Sequence, residues 1–102
     1  LRQAERELSE FSKEARIDTY ALFKRLMEGE VLSMPISRPL SSIARGLHEL
    51  RLSYGSGELR VFYAIRPKDA VYVLHAGAKK RQTMDAKTKA LIVGRMRAEG
   101  IL

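Results

Sequence analysis

The sequence predicts an α+β domain: an N-terminal helical hairpin packed on a small antiparallel β-meander sheet, with one further helix at the C-terminal end. Three observations predict it. Apolar residues in the first part of the chain recur every three or four positions, the middle part alternates between turns rich in Gly and Pro, and a last apolar run ends at a glycine. A chain of 102 residues, 45% of them hydrophobic, has material for one core, so positions 1–102 are read as a single domain.

Ala4, Leu8, Phe11 and Ala15 are spaced by four, three and four, which puts them on one helical face, and Tyr20, Phe23, Leu26 and Met27 are read as its continuation. One unbroken helix to Glu28 would be about 42 Å long at roughly 1.5 Å per residue, longer than such a domain is wide. A break near Ser12 is therefore expected, with Ser12 as cap of a second helix, Glu14 in its first turn and Gly29 as its stop. Residues 30–46 hold Pro35, Pro39 and Ser41-Ser42 and are read as an irregular loop within the domain. Three strands are expected next. Leu47–Ser53 places His48, Leu50 and Leu52 opposite Leu47, Glu49 and Arg51; after Tyr54-Gly55-Ser56-Gly57, Leu59, Val61, Tyr63 and Ile65 oppose Arg60, Phe62, Ala64 and Arg66; after Pro67-Lys68-Asp69 the third strand runs Ala70–Ala76. The apolar face is assigned to the helices and the face with the arginines to the side away from them. A helix from about Met84 to Glu99 closes the chain, with Thr83 or Asp85 as cap and Gly100 as stop. Its apolar residues Leu91, Ile92, Val93 and Met96 are crowded rather than striped, so the pattern does not say how it packs.

Charge is distributed unevenly. Residues 1–30 carry six basic and seven acidic groups, a net −1, whereas residues 31–102 carry thirteen basic and five acidic groups, a net +8. Such a field points to a polyanion-binding surface built by the later elements, with general solubility as the bland reading. Cysteine is absent, which removes disulfides, thiolate metal sites and cysteine nucleophiles, and fits a cytoplasmic location. No apolar run reaches the length of a membrane span, and no signal peptide is evident. No metal or other cofactor is expected: His48 and His75 lie on strands without a third donor at ligand spacing, and each is read as a packed histidine. The serines lack a partnered base, and Gly55-Ser56-Gly57 is a turn without the Lys-Ser/Thr that a phosphate loop needs.

Arg51 and Arg60 fall on adjacent antiparallel strands joined by a short turn, where two guanidinium groups can clamp a phosphate. Lys79, Lys80 and Arg81 follow the next strand, Arg66 ends the second, and Tyr54 in the turn is a candidate to stack on a base. Spacing leaves a second reading open, in which the arginines are solvated strand cations paired with Glu49 and Glu58.

The ordered runs Gly46-Leu47-His48-Glu49-Leu50-Arg51, Leu59-Arg60-Val61-Phe62-Tyr63 and Val73-Leu74-His75-Ala76, the last followed by Lys79-Lys80-Arg81-Gln82-Thr83, resemble the phage-derived HigB-like branch of the RelE/ParE toxin superfamily over about residues 8–98. The resemblance implies a RelE-like fold and the toxin of a type II toxin–antitoxin pair, a metal-independent endoribonuclease that cleaves mRNA on the ribosome. It implies the partners too: mRNA and ribosome, and a cognate antitoxin, often of the helix-turn-helix type. In that chemistry the RNA 2′-hydroxyl attacks the adjacent phosphate, leaving a 2′,3′-cyclic phosphate and a 5′-hydroxyl. Arg60 aligns with the phosphate-stabilising arginine and Arg51 with a strand cation. Lys79 and Lys80 match the basic pair that binds RNA or assists the leaving group. The tyrosine that RelE proper carries would fall near Ala86 and is missing, as is the histidine–aspartate set of the better-studied HigB type. The general base is therefore unassigned, with Glu49 a candidate by its nearness to Arg51. Members usually begin with a strand, which would precede Leu1. The same scaffold serves ParE-like toxins that inhibit DNA gyrase without cutting, and a catalytically inactive phage-derived binding module is the third alternative.

Overall fold

A computed structural model describes residues 2–54, 57–66, 70–78 and 84–102. Its elements are α1 (Arg2–Ser9), α2 (Lys13–Met27), β1 (Ser37–Pro39), β2 (Leu47–Tyr54), β3 (Gly57–Arg66), β4 (Ala70–Ala78) and α3 (Ala86–Ala98), with the strands in the antiparallel order β1-β2-β3-β4. The α+β architecture with a helical pair, a meander sheet and a terminal helix is the one the sequence predicts. No helix among the described residues is long and apolar enough to cross a membrane.

The helical break falls where Ser12 stands. Its hydroxyl accepts the Ala15 N–H at 3.1 Å, one of the orphan donors of a helix start, and α2 begins at the next residue. At the other end Gly29 takes φ +89°, and the Glu30 N–H reaches back to the Arg25 carbonyl at 3.0 Å, closing the helix as a left-handed glycine allows. Gly100, at φ +71°, closes α3 in the same manner, with the Ile101 N–H on the Met96 carbonyl at 3.0 Å. Asp85 is the α3 cap, accepting the Thr88 N–H at 2.7 Å; Thr83, the other candidate, lies outside the described residues.

Four expectations are corrected. The buried stripe of α2 runs Ala15, Thr19, Phe23 and Leu26, while Tyr20 and Met27 are exposed. Thr19 can be buried because its hydroxyl donates to the Ala15 carbonyl at 2.7 Å, so a polar residue type hides a core position. The loop between α2 and β2 contains a strand: β1 pairs with β2, Ser37 opposite Leu50 and Arg38 opposite Glu49. Three residues are too few to show alternation, and Pro39 is tolerated because β1 is an edge. The strand β4 extends two residues past Ala76, and a bulge between Phe62 and Tyr63 pairs them with His75 and Val73, leaving Leu74 over.

The fourth correction concerns the layers. Leu50, Leu52, Val61, Tyr63 and Ala76 form one core with Leu8, Phe11, Ala15, Phe23 and Leu26 of the helical hairpin, as alternation predicts. The opposite sheet face is not left open. Leu47, Phe62, Ala64 and Leu74 pack there against Ile92 and Met96 of α3, one helical turn apart, and against Ile101. The sheet is thus covered on both faces, and among the described residues the core that α3 builds on the second takes in Leu47, Phe62, Ala64 and Leu74 but neither Arg51 nor Arg60. The arginine pair lies beyond it.

Candidate nucleic-acid interface

Strand pairing assembles two rows across the face that α3 leaves partly open. One row is Arg51 opposite Arg60, and Arg60 opposite Gly77; the next is Arg38 opposite Glu49, then Phe62, then His75. Side chains opposite one another share a face, so three arginines, a glutamate and a histidine converge on this strip. The first row is the pairing that the spacing of Arg51 and Arg60 anticipates.

Like charges directly opposite repel, and the structure answers that by inserting carboxylates. Glu49 places Oε2 3.4 Å from the Arg60 Nε and Oε1 3.9 Å from the Arg51 Nε. Glu58 approaches the Arg60 Nη2 at 2.5 Å. The arginines are adjacent, as their spacing anticipates, and they are paired with Glu49 and Glu58, although Arg60 is buried rather than solvated. They are also unequal. Arg60 keeps only 5% of its surface exposed, yet among the described residues its buried Nη1 has no hydrogen-bond partner. Arg51 is more open, with 26% of its side chain exposed, and its guanidinium also donates to the Met34 sulfur at 3.7 Å. Glu49, at 12% exposure, is an ion-pair bridge, a role that competes with proton abstraction.

The other expected site residues are dispersed. Tyr54 shares the opposite face with Leu50 and Leu52 and packs on the helical-hairpin core. Its hydroxyl donates to the Asp18 carboxylate at 2.6 Å, and burial, with that bond and the charges of Asp18 and Glu14, pushes the phenol up to about 12. Arg66 donates to the Ile101 carbonyl and so ties the chain end after α3 to the end of β3. Lys79, Lys80 and Arg81 lie outside the described residues. His48 is a packed histidine: it stacks on Tyr63, ring centroids 5.2 Å apart, and burial lowers its pKa.

His75 is not merely packed. Its ring stacks on Phe62 at 5.8 Å, and its Nδ1 lies 3.1 Å from the Glu7 Oε1, close enough for an ion pair although the approach is too oblique for a well-directed hydrogen bond. Glu7 projects from α1, which packs along the edge strand β4, and it is held from two further elements, β4 and α3. Arg95 of α3 donates to both of its oxygens at 2.9 and 3.1 Å and also to the Leu74 carbonyl at 2.8 Å, while the Ala76 N–H reaches Oε1 at 3.3 Å. Burial alone would raise the Glu7 pKa. The Arg95 hydrogen bonds, the charges of His75 and Arg95 and the Ala76 N–H outweigh it and hold the carboxyl below its ordinary value.

Sequence reasoning misses two parts of this strip. Arg38 falls in the stretch read as irregular, and nothing short of the β1–β2 pairing puts it beside Glu49. Glu7 and Arg95 are 88 residues apart, so no local pattern relates them. Among the described residues no group of three His, Asp or Glu side chains is placed to hold a metal ion.

The family model described as phage-derived protein Gp49-like (DUF891) matches residues 6–97 of the chain. Neither the curated proteins nor the solved structures yield a match.

Proposed function

Since the chain belongs to the Gp49-like phage-derived family, we propose that it is the toxin of a type II toxin–antitoxin pair and acts as a metal-independent endoribonuclease on mRNA at the ribosome. The observation that carries this reading is the cationic row itself, Arg51 against Arg60 with Arg38 alongside, on the part of the sheet that α3 does not cover. In this reading Arg51 and Arg38 meet the RNA phosphates from the open side. Arg60 is held by Glu49 and Glu58 beneath that open side, and its fixed charge stabilises through the field the charge that develops on the phosphorane. Preorganisation of that kind supplies stabilisation without reorientation during the reaction. Lys79, Lys80 and Arg81 follow the end of β4, where Ala78 pairs with Leu59 next to Arg60, and add phosphate-binding and leaving-group roles. A cognate antitoxin would neutralise the same strip with acidic side chains.

Induced expression tests this directly. Growth should stop, and mapped mRNA 5′ ends should show cuts within codons that disappear in an Arg60→Ala, Lys79→Ala double variant. Undiminished toxicity of that variant would refute the assigned site. One observation favours a second reading: Arg60 already has two carboxylate partners, which suits a surface that binds without cutting, as in ParE-like inhibition of DNA gyrase. Relaxed plasmid DNA with intact mRNA after induction would select it, and normal growth would select an inactive binding module.

A further inference from the structure

The ribonuclease reading lacks a base for the 2′-hydroxyl, and Glu49 is tied between two arginines. We propose that His75 is that base, acting through Nε2, with Glu7 and Arg95 as the residues that position it. The inference rests on the ribonuclease reading and deepens it.

The geometry carries it in three steps. Glu7 is held as an acceptor by the paired donors of Arg95 and by the Ala76 N–H. The carboxylate charge lies 3.1 Å from Nδ1, and although the approach is too oblique for a hydrogen bond, its field favours the tautomer that carries the proton on that nitrogen. The lone pair is then on Nε2. Stacking on Phe62 fixes the plane of the ring.

Nε2 is directed to the cationic row. It lies 3.7 Å from where a Cβ on Gly77 would stand, and Gly77 is the cross-strand partner of Arg60. The missing side chain at 77 leaves room beside Nε2, next to the Arg51–Arg60 row. A ribose phosphate bound over that row from the Arg51 side would bring its 2′-hydroxyl to the same side. The charged groups facing His75 are Glu7 from α1, Arg95 from α3, and Arg60 and Glu49 on its own sheet face.

The step balances without a further reactant. The 2′-oxygen bonds to phosphorus as its proton passes to Nε2, the bond from phosphorus to the 5′-oxygen breaks, and that oxygen takes a proton from water. The products are a 2′,3′-cyclic phosphate and a 5′-hydroxyl, and the imidazolium returns its proton to solvent.

The test uses the full chain in a ribosome-containing translation extract with a 5′-labelled mRNA, read as cleavage rate against pH, with RNA affinity and thermal melting measured in parallel. His75→Asn keeps a donor toward Glu7 and removes the base. Its rate should fall by about 10²–10⁴-fold, the range for a positioned general base, with RNA affinity within about twofold, and the acidic limb of the pH profile should vanish. Gly77→Val leaves the histidine in place and fills the space beside Nε2; it should lose activity comparably while melting as the wild type does. The φ of Gly77 lies outside the left-handed region and a Cβ there meets only ordinary contact, so this second variant decides the matter if the first does not fold. Cleavage by either folded variant within about threefold of wild type, with the same pH profile, overturns the inference and leaves the nuclease reading standing. A wild-type chain that cuts no mRNA overturns both.

Discussion

Removing the charge of Glu7 should measurably loosen the whole fold, because that one side chain joins α1, β4 and α3. Breaking one partner of a buried pair costs roughly 3–5 kcal/mol. Here the side chains of Glu7 and Arg95 keep 24% and 17% of their surface exposed, so solvent screens part of the loss, and about 2–3 kcal/mol is expected for Glu7→Ala. Glu7→Gln retains a carbonyl oxygen for the Ala76 N–H, a bond worth about 1 kcal/mol, and should cost about 1–2 kcal/mol. For a domain of this size that is a fall in melting temperature of roughly 5–15 °C. The pH dependence supplies the sharper check. The folded pKa of Glu7 lies below its ordinary value of 4.5, so its contribution is fully present above that value and is lost as pH falls through the lowered one. Urea unfolding of wild type and Glu7→Gln should differ at pH 7 and converge as the solution is acidified. A gap smaller than about 0.5 kcal/mol at pH 7, or one that persists undiminished at pH 3, would refute the assignment of Glu7 as the junction.

Ser37→Ala should destabilise by about 1–3 kcal/mol in urea melts, because the Ser37 hydroxyl shares a buried 2.7 Å hydrogen bond with the Tyr63 hydroxyl, which the substitution strands. Tyrosine titration followed in the ultraviolet should show one late phenol near 12 that disappears in Tyr54→Phe. Since the folded pKa of Tyr54 is raised, its stabilising contribution is present below the ordinary value of 10.0 and is lost as pH rises through about 12. The same Tyr54→Phe variant should bind RNA as wild type does, since Tyr54 faces away from the arginine strip. Arg51→Ala should weaken RNA binding across sequences and reduce the salt slope by about one, read by fluorescence anisotropy over a salt series; an unchanged slope would remove Arg51 from the phosphate contacts.

Elements with a local signature were legible. The Ser12 cap, the Gly29 and Gly100 stops and the facing of Leu50, Leu52, Val61 and Tyr63 follow from rules that act over a few residues, and the sequence states them in full. The adjacency of Arg51 and Arg60 belongs to the same class, because a hairpin with two intervening residues fixes the register of its strands. Arg38 was not legible, since a three-residue edge strand has too few positions to display a period.

The amino-acid sequence by itself determined the helical hairpin, the meander, the basic character of the later elements and the pairing of two arginines across one hairpin. Tertiary structure alone decided which side of the sheet α3 covers, which arginine is closed in by carboxylates, and that His75 meets Glu7 and Arg95 at the edge of β4. The physical reason is range. Capping, alternation and turn chemistry are set by neighbours along the chain, whereas a cluster drawn from residues 7, 75 and 95 exists only once three elements have buried their apolar faces against one another.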